Sequence, residues 1–460
     1  MASQLPPEVQ EQLDQIMERI RKQLEDLLRW SYSQDEEEPP TATEIEKKIR
    51  DWTRRLGGDA LLLAIGPLDL YRRKGKHKCP RCGEAVYWKR YEPKNCITTL
   101  GTFTLERAYY HHGPCHCGWV PLDDRLRLLR SELSPLAEEM VSYLGAFMPF
   151  AQASQFLRDY MGMELSPDTV NNATVRVGEA LGKQQAEATQ KAWTEGRVPA
   201  YEGEDPPEKL YVSADGINHL EPDGQGREIK VAAIYETEER ALADGEVEIH
   251  AINTEYVVGS DPEALARATY VSASKRGLHE AQKRVALGDG AGWIWNRMAP
   301  ILRVPDCTEI VDFYHASQYL WGAGESVYGQ GSSRTQEWAA KVCHKLKHEG
   351  AEAVLSALSA LPVPKNKPAQ AIADARRYLK NHASRMNYPA YQREGLQIGS
   401  GSAESAVKRV VGARINQSGM RWRHDRAESV AQVRAAVFSE GRWPNHWAAY
   451  RPSLSIKRCQ

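Results

Sequence analysis

Apolar residues recur at three- and four-residue steps along the start of the chain, which lays one apolar stripe on a helix of about six turns. The stripe consists of Val9, Leu13, Ile16, Ile20, Leu24 and Leu27. The acidic run 35–38 and the two prolines after it end this helix, and the pattern over 44–63 predicts a second one. Residues 1–68 are therefore predicted to be a helical segment that serves docking or dimerisation.

Alternation of apolar and polar positions replaces the helical pattern over residues 69–130, a basic stretch. The runs 85–90 and 101–110 predict short antiparallel strands of a small β unit. Helical spacing resumes at 134 and lasts to about 193, and a linker rich in proline and glycine then closes the segment 131–208.

Within that helical stretch, Gly162 marks a sharp corner and a new helix begins at Ser166-Pro167, because serine is a favoured N-cap and proline suits the first helical position. The corner over 151–182 has two interpretations: a plain packing corner, or a helix-turn-helix that reads DNA. In the second interpretation four side chains would reach base edges: Thr169, Asn171, Asn172 and Arg176.

Short apolar runs predict a sheet from residue 209 onward. Strands are predicted over 210–214, 228–236, 247–258, 284–287 and 308–311, with a helix over 261–275. Residues 316–388 are predicted to be helical with a break at 361–368, and a last helix runs from 401 or 402 to about 414. The pattern indicates an α/β core in two parts, 209–315 and 397–440, around a helical insertion 316–396, followed by a tail 441–460.

Composition agrees with a globular chain of several packed units, since 42% of the 460 residues are apolar. The longest apolar run, 60–65, is far shorter than the roughly 20 residues that span a membrane. The acidic N-terminus lacks the pattern of a secretory leader, so a cytoplasmic protein without membrane contact is expected. The 60 Lys and Arg nearly balance the 61 Asp and Glu, so any nucleic-acid binding depends on local basic stretches.

Two pairs of closely spaced cysteines flank the predicted β strands. Cys79 and Cys82 form a Cys-x-x-Cys knuckle, and Cys115 and Cys117 form the second pair. Four thiolates in two pairs are typical of a closed, structural zinc site. Because the one-residue gap of the second pair is less common, two replacements for one ligand stay open: His112 and Cys96.

Acidic residues directly follow two of the predicted buried strands. Asp215 and Asp289 are each followed by glycine, and Glu404 lies one turn into the helix that follows a Gly-Ser-Gly stretch. Carboxylates that converge in this way suit hard cations such as magnesium or manganese. Asp312 also ends a strand and is an alternative ligand, and His315 could orient a carboxylate or a phosphate.

Several phrases of the sequence together resemble bacterial insertion-sequence transposases of the ISKra group. In the C-terminal half they are Asp215-Gly216, Gly288-Asp289-Gly-Ala-Gly-Trp293-Ile-Trp295, Asp312-Phe-Tyr-His315, Arg385-Met386-x-Tyr388, Ile398-Gly-Ser-Gly-x-x-Glu404 and Ser418-Gly-Met-Arg-Trp422. Upstream they are Arg107-x-Tyr109-Tyr110, Cys115, Pro121-Leu122-Asp123 and Ser134-Pro135. The resemblance spans about 75–447 and is specific as a combination, although each phrase alone is weak.

The resemblance implies an RNase H-like catalytic core of the Asp-Asp-Glu type, interrupted by an all-helical insertion and preceded by a zinc-ribbon-like β unit. The catalytic residues would be Asp215, Asp289 and Glu404, supported by Asp312 and His315. Mutator-like transposases carry a Cys-or-Asp, x, x, His step after the second aspartate, and Asp312 with His315 resembles it. This similarity favours Asp289 over Asp312 as the ligand. Asn387 stands where the group usually has aspartate.

A basic stretch near the C-terminus completes the expected site. Residues 406–424 contain no acid, and the predicted DNA-binding residues there are Lys408, Arg409, Arg414, Arg421, Trp422 and Arg423. The alternative is that these charged side chains only form a solvent-exposed helix face and bind no DNA. The sequence thus predicts a transposase that acts as a homo-oligomer on double-stranded DNA, with two magnesium ions roughly 3.5–4 Å apart. The alternatives are an RNase H-like nuclease without strand transfer and a zinc-ribbon DNA-binding protein whose catalysis has lapsed.

Overall fold

The computed structural model describes residues 7–32, 40–66, 77–128, 131–241, 247–298, 302–361, 370–450 and 457–458. The chain divides into two compact units, Met1–Ala173 with Asn445–Gln460, and Thr174–Pro444. Among the described helices, none is both long and apolar enough to cross a membrane.

The first unit opens with the two predicted helices, Pro7–Tyr32 and Ala42–Ile65. Thr41 and Glu44 form a reciprocal capping box that fixes the start of the second helix. Four residues of the predicted apolar stripe are half-buried, namely Leu13, Ile16, Ile20 and Leu27, whereas Leu24 is 40% exposed. An ion pair of 2.8 Å between Arg19 and Asp59 links the two helices.

A five-stranded sheet follows, built mainly from one long hairpin. Its strands are β1 His77–Lys78, β2 Ala85–Thr98, β3 Gly101–His112, β4 Cys117–Trp119 and β10 Lys457–Arg458, in the order β1-β2-β3-β4-β10. All paired strands are antiparallel. Arg107 of β3 forms a buried ion pair with Asp123, so these two residues of the transposase-like phrases have a structural role.

Helices complete the first unit: Pro121–Arg125, Pro135–Phe147, Phe150–Met161 and the start of Pro167–Glu195. The Ser134 and Ser166 side chains accept hydrogen bonds from the backbone amides three residues on, as N-caps. Gly162 adopts a left-handed conformation, with φ of 60°, and ends the helix before the corner. The predicted corner is confirmed, and Val141, Leu157 and Val170 pack in its core.

The second unit contains the predicted five-stranded sheet, and all five strands are confirmed. They are β5 Lys209–Leu220, β6 Gly226–Ala241, β7 Val247–Gly259, β8 Lys283–Gly288 and β9 Cys307–Val311, in the order β7-β6-β5-β8-β9. The first three strands pair antiparallel, while β5, β8 and β9 run parallel. Ala214 pairs with Gly288, and Gly288 pairs with Val311. The three residues that follow these positions therefore lie side by side at one edge.

Helices cover the rest of this unit. They are Pro262–Lys275, Phe313–Tyr328, Ser333–Glu349, Ala351–Ser359, Gln370–His382, Tyr388–Arg393, Gly401–Val407, His424–Phe438 and Arg442–Ala449, the last of which crosses the unit boundary. Short π-helical turns occupy Ile294–Met298 and Lys408–Gly412. The helical character predicted for 316–388 is confirmed over its described residues, while the predicted break at 361–368 lies almost wholly outside them.

Candidate functional site

One cavity of about 250 Å³ gathers the carboxylates that the sequence singles out. Its lining contains Ala214, Asp215, Asp289, Asp312, Tyr314, His315, Gln318, Ser400, Gly401 and Glu404. The parallel register of β5, β8 and β9 brings the three aspartates to one edge of the sheet, and the helix Gly401–Val407 adds Glu404. All three predicted catalytic residues and both supporting ones thus line a single cavity.

Asp215 lies within β5 and is half-buried. Burial raises the pKa of its carboxyl, and the neighbouring carboxylates of Asp289 and Glu404 raise it further. The Gly216 amide, 2.7 Å from Oδ1, and the nearby His315 act in the opposite direction. A raised pKa caused partly by like charges indicates that negative charge is concentrated in this cavity.

Asp289 follows β8 at a turn that the surrounding residues hold in place. Its Oδ1 accepts a hydrogen bond of 2.8 Å from the Ala291 amide, and its backbone carbonyl accepts one of 2.6 Å from the Trp295 indole. Its carboxylate is only half-buried and makes no ion pair within the described residues. Asp289 therefore retains acceptor capacity toward the cavity.

Asp312 is engaged differently, although it occupies the equivalent position after β9. It is 4% exposed, and its Oδ1 accepts a hydrogen bond of 2.6 Å from the His315 amide as the N-cap of helix Phe313–Tyr328. Its Oδ2 accepts a short hydrogen bond from the Ser400 amide. Both oxygens thus stabilise backbone amides, which favours a structural role for Asp312 and leaves Asp289 as the better candidate ligand.

Glu404 is the most exposed of the carboxylates. It lies in the first turn of helix Gly401–Val407, and its Oε1 is 2.5 Å from Nζ of Lys408, one turn further on. Among the described residues, the oxygens of Asp215, Asp289 and Glu404 do not all lie within 4.8 Å of one another. The three carboxylates therefore do not form one closed ion site in this arrangement.

Sequence reasoning did not assign three polar residues of the cavity lining to the site: Tyr314, Gln318 and Ser400. Tyr314 is 68% exposed, and its ring packs against the backbone of Gly399. A Cβ atom at position 399 would lie only 2.6 Å from Cε2 of this ring. The glycine therefore allows the close approach of ring and backbone. The position of Tyr314 between Asp312 and His315 was the available signal for its place in the cavity.

The first unit contains a separate cluster of soft ligands. The ligand atoms of Cys79, Cys82, His112 and Cys115 all lie within 4.8 Å of one another, the one such group of His, Cys, Asp or Glu in the described part of the chain. Nδ1 of His112 is 3.6 Å from Sγ of Cys82, and its Nε2 is 3.2 Å from Glu84. A carboxylate on the far nitrogen is the usual partner of a metal-bound histidine.

Cys117 and Cys96, the other candidates for the fourth ligand, lie differently. Sγ of Cys117 is 3.7 Å from Sγ of Cys79, yet Cys117 lies outside the compact group. Cys96 is buried in another core cluster, with Leu105 and Tyr109. Of the three candidates for the fourth metal ligand, the geometry favours His112. Cys117 lies beside the ligand group, and Cys96 lies apart from it.

Electrostatics at this cluster favours a thiolate at Cys79. Burial raises the pKa of the Cys79 thiol, but hydrogen bonds from the backbone of Arg81 and Cys82 and from the thiols of Cys117 and Cys82 outweigh burial and lower the pKa to about 7. A thiolate is the form that binds zinc. The donor set of soft sulfur and imidazole therefore fits a structural zinc ion.

The predicted DNA-binding segment needs a correction. Arg414 is 1% exposed: Nη1 lies 3.3 Å from the Met420 sulfur, and the guanidinium is 4.8 Å from the Trp422 ring centroid. Trp422 is also buried, at 8% exposure. Arg414 and Trp422 therefore form part of the core, because the helical turns over 408–415 direct the arginine inward. They cannot contact DNA in this arrangement.

The exposed charges of this segment belong to Lys408, Arg409, Arg421 and Arg423. Lys408 contacts Glu404, and Arg423 forms a two-pronged ion pair with Asp425 at 3.1–3.2 Å.

Of the residues predicted to read bases at the helix corner, Asn172 and Arg176 are exposed. Thr169 and Asn171 are half-buried, and the Thr169 hydroxyl is 2.9 Å from that of Ser166.

The fold and these sites define a chain of two units with two candidate metal centres of different chemistry, soft in the first unit and hard in the second. The chain belongs to the Uncharacterised protein family (UPF0236), whose profile matches residues 39–448. A relative from Streptococcus gallolyticus, described as "UPF0236 protein in vanSb 3'region", is 25% identical over 323 residues, which cover 69% of this chain and 67% of the relative.

Proposed function

We propose that this chain is a DNA transposase of the Asp-Asp-Glu type, related to the ISKra group, that cleaves the ends of an insertion sequence and joins the freed 3′ hydroxyls to target DNA. The observation that carries the proposal is the convergence of Asp215, Asp289 and Glu404 on one cavity. Two of these residues come from adjacent parallel strands, and the third comes from a helix that follows a long helical insertion.

The sheet supports an RNase H-like assignment of the core. Its strands have the order β7-β6-β5-β8-β9, in which β7, β6 and β5 pair antiparallel and β5, β8 and β9 pair parallel. The first aspartate lies on the central strand β5, and the second follows its parallel neighbour β8. The helices between β9 and Glu404 account for most of the 115 positions that separate Asp289 from Glu404 (404 minus 289).

The carboxylates fit divalent magnesium or manganese, because they offer hard oxygens in a cavity with concentrated negative charge. Asp215, Asp289 and Glu404 would hold the ions, which when bound supply charge stabilisation at the attacking and leaving oxygens of phosphoryl transfer. Around them, Asp312 fixes the backbone at Ser400, at the start of the Glu404 helix. Lys408 pairs with Oε1 of Glu404, and its ammonium would lie beside a phosphate bound at the carboxylates.

Binding of double-stranded DNA is assigned to the exposed cations Lys408, Arg409, Arg421 and Arg423, the first two of which lie about one turn after Glu404 on the same helical stretch. The first unit, with its zinc site, would then recognise the element ends through the helix corner. A cytoplasmic location and assembly into a homo-oligomer on DNA belong to the same proposal.

Cleavage of a labelled DNA duplex that carries the borders of the insertion sequence tests this function. Asp215→Ala, Asp289→Ala and Glu404→Ala should each abolish magnesium-dependent cleavage and leave DNA binding within about twofold. The matched control is Glu337→Ala, which removes an exposed carboxylate outside the cavity and should cleave normally. Normal cleavage by any of the three cavity variants would contradict the proposal.

A second function, DNA binding without catalysis, has one observation in its favour. Glu404 forms an ion pair with Lys408, and in the described residues the oxygens of the three carboxylates do not all lie within 4.8 Å of one another. A chain whose catalysis has lapsed would bind border DNA yet cleave nothing with magnesium or manganese. A nuclease without strand transfer would cleave but not join pre-cut ends.

A further inference from the structure

A cavity of about 510 Å³ lies in the first unit, between one face of helix Ala42–Ile65 and the corner that follows helix Phe150–Met161. We call it the basic pocket. Its lining contains three acids and five cations, and the cations are Lys47, Arg50, Arg54, Arg55 and Arg158. The pocket shares no residue with the carboxylate cavity or with the cysteine cluster.

Four of the five cations come from one face of a single helix. Lys47, Arg50, Arg54 and Arg55 follow the three- and four-residue spacing that places side chains side by side on a helix. The eight positions from 47 to 55 (55 minus 47) rise about 12 Å along the helix axis. This length exceeds a single phosphate and suits a run of phosphates on one strand of a duplex, which are spaced about 3.4 Å along its axis.

Arg54 fixes this helix face against the rest of the unit. Its Nη2 donates a hydrogen bond of 2.6 Å to the Tyr160 carbonyl, and its guanidinium packs on Gly162, where any Cβ would overlap it. Its own carbonyl lies against Gly101 at the tip of the β2–β3 hairpin, where a Cβ would be 2.6 Å away. Helix, corner and hairpin therefore meet around Arg54, and the pocket is already formed without a ligand.

The acids of the lining do not neutralise its positive charge. Asp51 is 3.6 Å from Nη1 of Arg54, and Asp159 is 3.3 Å from Nε of Arg158. Both acids are exposed, and pairs of this kind contribute little. Glu164, the third acid, is exposed as well.

Two arginines of the pocket remain available for an anion. In the part of the chain that the structure describes, Arg50 and Arg55 form no ion pair. Burial lowers the pKa of the Arg54 guanidinium and the neighbouring Arg50 lowers it further, whereas Asp51 acts in the opposite direction. The effect of one cation on another indicates that positive charge is concentrated in the pocket, which favours a polyanion.

The position of the pocket at the helix corner indicates which polyanion fits. Arg158 lies in the last turn of helix Phe150–Met161, and the next helix begins at Pro167, with Asn172 exposed. In a helix-turn-helix, the second helix enters the major groove of a duplex while the first helix crosses the phosphate backbone. The pocket lies beside the first helix of this corner, where that arrangement places backbone phosphates.

We propose that the basic pocket binds the phosphate backbone of double-stranded DNA, through Lys47, Arg50 and Arg55, next to the groove that the helix beginning at Pro167 enters. This inference rests on the proposed function and deepens it, because it names the surface of the first unit that holds the duplex. Phosphate contacts carry no sequence information, so the pocket contributes affinity and orientation and leaves sequence discrimination to the helix.

Fluorescence anisotropy of the full chain with two labelled duplexes of equal length, one of border sequence and one of random sequence, tests the inference at several salt concentrations. The double variant Arg50→Ala/Arg55→Ala should lower the slope of log binding constant against log salt by about 1–2, at about 0.9 per lost phosphate contact. Both duplexes should lose the same factor in affinity. Arg50→Lys/Arg55→Lys keeps both charges and should retain the slope. The matched control Lys22→Ala/Arg29→Ala removes two exposed cations outside the pocket and should bind normally.

Thermal unfolding of each variant shows whether the fold is retained, and the lysine variant provides a test even if the alanine variant unfolds. The inference is overturned if the folded alanine variant keeps the slope, if the lysine variant loses as much of the slope as the alanine variant, or if only the border duplex is affected. Absence of duplex binding by the wild type would overturn this inference and the proposed function together. Duplex binding with the expected loss of slope, but without cleavage of border DNA, would support the pocket and contradict the proposed function.

Discussion

Asp289 and Asp312 follow neighbouring strands, but they make different contacts: Asp289 has free acceptor capacity toward the cavity, whereas both oxygens of Asp312 accept from backbone amides. Substitution of each residue by alanine distinguishes the two roles. Asp312→Ala removes an N-cap, which costs about 0.5–2 kcal/mol, and leaves the half-buried Ser400 amide without its acceptor, which costs about 1–3 kcal/mol. The sum is about 2–5 kcal/mol. Asp289→Ala removes one hydrogen bond, to the Ala291 amide, which costs about 0.5–1.5 kcal/mol.

These values translate into a thermal shift, because each kcal/mol changes the Tm of a domain of this size by roughly 2–4 °C. Asp312→Ala should lower the Tm by about 4–20 °C and keep residual cleavage at a temperature well below it. Asp289→Ala should change the Tm little and abolish cleavage. Asp312→Asn keeps one acceptor oxygen, so its Tm should fall between the wild type and Asp312→Ala.

Calorimetric melting of the four proteins, paired with the border-DNA cleavage assay at 20 °C, checks this reasoning. The assignment of roles is refuted if Asp312→Ala melts like the wild type and loses cleavage while Asp289→Ala still cleaves. Asp312 would then be the ligand and Asp289 the structural residue.

Three further predictions concern zinc, DNA and pH. His112→Ala should release the zinc that the purified chain retains, whereas Cys117→Ser should keep it, as measured by elemental analysis; the reverse pattern would restore Cys117 as the fourth ligand. Replacing Arg421 and Arg423 together by alanine should lower the slope of log binding constant against log salt by about 1–2, at about 0.9 per phosphate contact; an unchanged slope removes DNA from this segment. Burial and neighbouring carboxylates raise the pKa of Asp215, so the folded chain holds this proton more tightly than the unfolded chain, and the associated stability is lost as pH rises through the raised pKa. Asp215→Asn should therefore raise the Tm at pH 8 in metal-free buffer, and a lower Tm would contradict the shift.

The sequence predicted those parts of the fold in which the pattern of apolar residues is compatible with only one type of secondary structure. The strands of the second unit are short buried runs, and all five lie where expected, although β5 and β6 extend further because their exposed ends carry polar residues that hide the pattern. Convergence of Asp215 and Asp289 could also be predicted, because parallel strands end at one edge of a sheet.

Other features could not be predicted, because they depend on contacts between distant positions. A strand-ending aspartate has the same local signature whether it binds a metal or, like Asp312, holds two amides. Arg414 belongs to a basic run, and nothing local distinguishes it from its exposed neighbours; it is buried because the helix packs it against Met420 and Trp422. His112 joins the cysteine cluster because the end of β3 pairs with β4.

The most direct measurement of the central claim is strand joining with pre-cut element ends and a supercoiled target plasmid. With magnesium, wild-type protein should join ends that carry a 3′ hydroxyl and should not join ends that carry a 3′ dideoxy terminus. Excess EDTA or Glu404→Ala should stop the reaction. Joining of dideoxy ends, joining in EDTA, or no joining of hydroxyl ends under conditions in which the protein binds them would contradict a metal-dependent transposase centred on Asp215, Asp289 and Glu404.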